Sequence, residues 1–188
     1  MVRGIVIPSA EQRDPEVCSF ESFGDLQEAV DGWSEAVDVT GAGVTLLVNG
    51  EGVPRGLPFN RRATYFWWHF VPRAAGHARL LGDVVLVGWS GTQDQSTDAP
   101  AEFVRAIAPG REYQVELRRC GFVEWRSDAG GRQSYFEAIV WACLVVEMGK
   151  ARRRHKSFWW LDKAVIASES WCSAPEARDH RAILICGS

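Results

Sequence analysis

The chain has 188 residues, 46% of them hydrophobic and 24% charged, with a formal net charge of −3. That length fits one large or two small domains with a buried core, and the composition excludes wholesale disorder. The small net charge excludes a uniformly basic nucleic-acid coat, yet it hides a split: residues 1–38 carry −7 and the remainder +4, enough to orient a partner or simply to solvate two faces.

Taken in chain order, Gly4–Ile7 reads as a short strand stopped by Pro8, and Glu16–Phe20 as a second. Phe23, Leu26, Ala29, Val30 and Trp33 share the i, i+3, i+4, i+7 spacing of a buried helical stripe over Phe23–Trp33. Ser22 is its expected N-cap, and Asp25 lies in the first turn, where the helix dipole favours an anion. Val44–Val48 is a β-branched and leucine run ending at the turn signal Asn49-Gly50. Asn60 is positioned to cap a helix from Arg61 to Phe70, before Pro72 stops it. Asp83–Val87 reads as a strand buried on both faces, and residues 90–99, SGTQDQSTDA, as a linker.

Beyond that linker the pattern restarts. Glu102–Ala108 is a short helix ended by Pro109-Gly110, and Tyr113–Arg119 alternates apolar and polar residues as a half-buried strand does. Val123–Arg126 is placed to pair with it across Cys120-Gly121. Ser134 caps a helix through about Met148 that is apolar nearly all round, and Lys163–Ser168 closes the module. The expected class is therefore α+β in two small modules, 1–89 and 100–188, each a short sheet with one or two packed helices.

Five cysteines, an odd number without CxxC spacing, point to reduced thiols, and the opening MVRGIVIPSAEQRD does not read as a secretory segment. A cytoplasmic location is expected. The longest apolar run, Ala138–Val146, is too short for a bilayer, which needs about 20 residues.

The segments RGIVIP, DLQEAVDGWSEAVDV, TLLVNGEGVPRGLPFNRRAT and GDVVLVG together resemble the family called domain of unknown function thirty-eight forty-six, over roughly residues 3–88. NGEG…GLPFNRRAT is the most specific part. The remainder loosely resembles a ββαβ extension of actinobacteriophage members. The resemblance implies a small, phage-encoded cytosolic α+β protein, and it implies no reaction. The aromatic run YFWWHF departs from the family's usual pattern.

Chemical signatures are sparse. GxSxG, HExxH, P-loop and paired CxxC motifs are absent, and Gly41-Ala42-Gly43 precedes a strand where a dinucleotide fingerprint must follow one. Cys172, His180 and Cys186 match no common zinc spacing. No catalytic residue, metal or cofactor is assigned.

Two constellations read as binding surfaces. Lys150, Arg152, Arg153, Arg154 and Lys156 precede Phe158, Trp159 and Trp160, a pattern that suits phosphates and unpaired bases. The same cations also suit a helix C-terminus, with the aromatics leading back to a core. Asn60, Arg61 and Arg62 precede Tyr65, Phe66, Trp67 and Trp68. Successive helical residues are about 100° apart, so four aromatics in a row cannot all face one core. An inter-module or homodimer contact, a host-protein contact and a ligand pocket are the alternatives, and Trp and Arg are enriched at interface hot spots. Trp159-Trp160 is a second such doublet. The expected function is that of a phage accessory protein occupying a host macromolecule without catalysis, as takeover or counter-defence factors do. RNA or single-strand binding, and sequestration of a nucleotide or other small molecule, are the alternatives.

Overall fold

The computed structural model describes residues 1–91, 96–119, 124–127, 130–152, 161–168 and 182–184; for 118–119, 125, 147–152, 161–168 and 182–184 it describes the backbone alone. The chain divides into two compact units, Met1–Ala108 and Pro109–Ser188.

In the first unit, strands β1 (Val2–Ile7), β2 (Glu16–Phe20), β3 (Ser34–Val39), β4 (Val44–Asn49) and β5 (Val84–Gly88) form one sheet in the order β2-β1-β5-β4-β3. Every neighbouring pair is antiparallel. The register sets Gly4 opposite Cys18, Val6 opposite Val85, and Leu47 opposite both Val85 and Ala36. Because side chains alternate along a strand, Val6, Phe20, Leu47, Val85 and Val87 share one face. There they cluster with Leu26 and Val30, the buried residues of helix α1 (Phe23–Ala29) and its C-cap. Ile5, Ile7, Val44, Leu46, Val84 and Leu86 turn to the opposite face and are fully buried. Helices α2 (Arg61–Phe70) and α3 (Ala101–Ala106) supply Ala63, Phe66 and Phe103, with the Phe66 and Phe103 rings 5.4 Å apart at their centroids. Each valine, leucine, isoleucine or phenylalanine side chain taken fully from water contributes about 2 kcal/mol.

Helix α1 is shorter than the expected Phe23–Trp33. Ser22 accepts from the Asp25 N–H while Asp25 accepts from the Ser22 N–H, closing a capping box. The other end stops because Asp31 (φ 58°) and Gly32 (φ 144°) leave helical space. The Asn49 amide donates to the Val30 and Asp31 carbonyls, and Arg55 holds the Asp31 carboxylate at 2.6 Å. The expected buried stripe is therefore only half realised: Leu26 and Val30 are buried, whereas Phe23 is 57% and Trp33 70% exposed. Residues 34–39 then form an edge strand that the sequence reading did not anticipate.

Residues 97–106 belong with the first unit, although the sequence suggested a linker at 90–99 and a helix within the second module. Thr97 pairs with Gly88, the Asp98 carboxylate accepts from the Arg3 N–H, and the Ala99 N–H donates to the Arg3 carbonyl. A Cβ on Gly88 would collide with Thr97 Oγ1 and the Asp98 carbonyl oxygen, so only glycine lets this segment cross the end of β5.

The second unit contains β6 (Tyr113–Arg119), β7 (Trp125–Ser127), β8 (Leu161–Ser168) and β9 (Ala182–Leu184) in the order β7-β6-β8-β9, all antiparallel. Helix α4 (Tyr135–Arg152) packs on β6 and β8 and buries Phe136, Ala138, Ile139, Val140, Ala142, Val145 and Val146. Strand β9 was not anticipated either. Both units confirm the α+β class.

Candidate functional site

Helix α1 spans seven residues and lies over a sheet of five strands. It covers the middle of that face and leaves a cleft on either side. The larger, about 520 Å³, opens between α1, strand β2 and the loops at 57–58 and 82–83. Its floor is apolar: Val6, Phe20 and Val30 meet Leu57 and Pro58. A Cβ on Gly4 would stand 2.9 Å from the Phe20 ring, so the glycine lets that ring lie across β1.

The rim of this cleft is acidic. Glu16, Glu28, Asp31 and Asp83 line it; Arg13 stands among them, and Arg55 pairs with Asp31 at 2.6 Å. Asp83 Oδ1 accepts from both the Ser9 N–H and the Ser9 hydroxyl at 2.8 Å, and Oδ2 accepts from Arg13 at 3.1 Å. Arg13 also lies 3.6 Å from Glu16. These contacts organise the loop between β1 and β2, and a carboxylate excess remains. Burial raises the Cys18 thiol pKa and the Glu16 carboxylate raises it further, with Arg13 offsetting part of this. Cys18 is therefore a protonated, weakly nucleophilic thiol at neutral pH.

The smaller cleft, about 280 Å³, lies on the other side of α1, against β3 and β4. Leu26, Ala36 and Leu47 give it apolar walls, exposed Phe23 stands at its mouth, and Glu21 and Asp38 carry its charge. Asp38 already accepts from the Thr45 hydroxyl at 2.8 Å. The acidity belongs to the unit as a whole, since residues 1–108 hold fourteen Asp or Glu against eight Lys or Arg.

The candidate residues drawn from the sequence fall in quite different places. Asn60 is fully buried; its side chain caps α2 by accepting from the Ala63 N–H and donates to the Ile7 and Gly82 carbonyls. Arg62 is 7% exposed and donates to the Arg13 and Glu11 carbonyls, anchoring the loop after β1 from below. Neither offers a surface to a partner. Arg61 is half-buried and lies 3.1 Å from the Glu11 carboxylate.

Of the aromatic run, Phe66 alone is fully buried, while Tyr65, Trp67, Trp68, His69 and Phe70 are half-buried. The Trp68 indole donates to the Ala78 carbonyl, so the unit's own loop satisfies it. Lys150 and Arg152 fall in the last turn of α4. Their side chains, all of Arg153, Arg154, Lys156, Trp159 and Trp160, and the Cys172, His180 and Cys186 set lie outside the described residues. Among the described residues no group of three His, Cys, Asp or Glu side chains is arranged to hold a metal ion, and no helix is long and apolar enough to cross a membrane.

The sequence reading missed the clefts. Their one visible signal was the acidic excess of residues 1–38, which supply Glu16, Glu21, Glu28, Asp31 and Asp38.

The first unit is thus an α+β domain with one antiparallel sheet and clefts flanking a short helix. The family model described as "Domain of unknown function (DUF3846)" matches residues 2–109, more than half of the chain, and the chain belongs to that family. No curated protein and no solved structure gives a significant match.

Proposed function

We propose that this chain is a bacteriophage accessory protein that works in the host cytoplasm by binding a host macromolecule without catalysis, and that the α1 side of the first sheet is its contact surface. One observation carries the reading: concave, apolar-floored space lies on both sides of α1, and the four carboxylates that rim the larger cleft outnumber the two guanidinium groups paired with them, those of Arg13 and Arg55. Concavity with an apolar floor supplies burial on association, and the charge selects a cationic partner and speeds its encounter.

Affinity capture with the full chain and with a Glu16→Lys, Glu28→Lys variant tests this. A host protein retained by the wild type and lost by the variant is the expected outcome. Equal retention by both, or no specific retention by either, overturns the assignment of this face.

The larger cleft also favours a second reading, a protein that sequesters a small molecule, because its volume lies within the usual ligand range of about 300–1,000 Å³. The carboxylates turn that reading away from nucleotides and toward small cations such as polyamines. A rise in melting temperature with a polyamine, and none across a nucleotide panel, would support it.

A further inference from the structure

We propose that the outer edge of β2 accepts an extended, lysine- or arginine-rich segment of a host protein as an added strand, with alternate side chains of that segment reaching into the acidic cleft beside α1. This rests on the reading that the α1 face binds a macromolecule, and it adds the chemistry of the partner and the mode of contact.

Strand β2 is the first in the sheet order and has β1 as its sole neighbour there. Antiparallel alternation fixes which backbone groups it presents. Arg3 donates its N–H to Asp98 at 2.8 Å and accepts from the Ala99 N–H at 2.7 Å, in a segment that pairs with the end of β5 through Gly88. The backbone groups of Arg3, Ile5 and Ile7 therefore face β5, and those of Val2, Gly4 and Val6 face β2. With Gly4 opposite Cys18 and Val6 opposite Glu16, the inward groups of β2 belong to Glu16, Cys18 and Phe20. Val17 and Ser19 turn their N–H and C=O outward, and among the described residues no backbone group pairs with them.

Side chains divide the same strand between the two faces. Glu16, Cys18 and Phe20 line the cleft, while Val17 points to the reverse side and is 40% exposed. A strand added at this edge continues both the ladder and the alternation, so every second side chain of the newcomer stands next to the cleft. Charge selects what those side chains are. Arg13 is engaged by Asp83 and Glu16 and Arg55 by Asp31, whereas the Glu28 carboxylate is exposed and without a partner among the described residues. A lysine or arginine lays its methylenes against Phe20, Leu57 and Pro58 and keeps its charged head among the carboxylates. An acidic segment or a nucleic acid meets repulsion at the same place.

Fluorescence anisotropy of a labelled peptide alternating lysine with valine, titrated with the full chain, tests the inference. Saturable binding that weakens with salt is expected, together with at least about tenfold weaker binding for the Glu16→Gln, Glu28→Gln variant. Val17→Pro removes an outward donor at an edge where proline is tolerated, and it should weaken binding about tenfold with circular dichroism unchanged. Should Val17→Pro fail to fold, peptides N-methylated on one or the other alternate set of amides make the same distinction: one set abolishes binding and the other spares it. Equal binding of the two methylated peptides, no binding of the basic peptide, or equal binding of a glutamate–valine peptide overturns the inference. Conversion of a dimer to a monomer by Val17→Pro assigns the edge to a second copy and also overturns it. If the lysine variant loses its captured host protein while no basic peptide binds, this inference fails and the broader reading stands.

Discussion

Asn60 joins three stretches of chain through one amide: its oxygen caps α2, and its nitrogen donates to the carbonyls of Ile7, at the end of β1, and Gly82, just before β5. The sequence supported the cap, because Asn before a helical pattern is the expected residue there. It carried no trace of the other two bonds, whose acceptors lie 53 and 22 residues away. Asn60→Ala removes the cap and two buried amide-to-carbonyl hydrogen bonds, a loss of roughly 3 kcal/mol. Urea unfolding measures it, and a loss below about 0.5 kcal/mol, the range of an ordinary surface change, would show that the amide does not hold these strands together.

His69 makes a second prediction at the residue scale. Its Nδ1 is buried without a hydrogen-bond partner among the described residues, the Phe70 ring packs at 4.4 Å, and burial pushes its pKa down to about 4. The unfolded chain takes up a proton near pH 6.5 and the folded chain does so only near pH 4. The imidazole therefore costs nothing above pH 6.5, and stability falls as the pH drops from 6.5 to 4, by about 3 kcal/mol in all. His69→Gln should flatten that part of the pH–stability profile relative to the wild type. Parallel profiles for the two proteins would show that the imidazole charges freely in the fold. The Asp25 carboxylate, held below its usual range chiefly by the Ser22 hydroxyl and then by the Ser22 and Glu21 backbone N–H groups, loses its contribution at more acid pH, as it protonates.

Elements with strong local signals were legible in the sequence. Helix α2 begins and ends where Asn60 and Pro72 punctuate the pattern, and β6 follows its apolar–polar alternation from Tyr113 to Arg119. Helix α1 kept its start, which Ser22 and Asp25 determine within a single turn, and lost its expected end. That end depends on Asn49 and Arg55, which seize the Asp31 backbone from far along the chain. Strand β3, SEAVDV, escaped notice because one of its edges lacks a neighbouring strand in the sheet: Glu35, Ala36 and Asp38 are exposed and no apolar period runs along it, and pairing with β4 creates it. An edge strand of this kind owes its conformation to the ladder more than to its own side chains.

At the scale of the whole molecule, the boundary after Ala108 agrees with the family match over residues 2–109. A chain of residues 1–108 carries its complete five-stranded sheet, α1, α2 and α3, so it should unfold cooperatively by itself. Differential scanning calorimetry should place its midpoint within about 5 °C of the corresponding transition in the full chain. A fragment without a cooperative transition would show that the second unit is needed to hold the first. A fragment ending at residue 89 should fare worse, because it lacks the segment that crosses Gly88 and the Phe103 ring that meets Phe66.

The sequence by itself determined the α+β class, the family, the caps at Ser22 and Asn60, and the concentration of acid in the first 38 residues. Each of these is written in composition or in contacts within a turn or two, where spacing along the chain is spacing in space. Only the tertiary structure decided that Asn60 and Arg62 are buried, that Phe23 and Trp33 are not, and that Glu16, Glu28 and Asp31 converge with Asp83 around one cleft. Those outcomes depend on strand order and register, which are set by the summed burial of residues such as Ile5, Leu46, Val85 and Leu86 from distant parts of the chain. No local pattern encodes that sum.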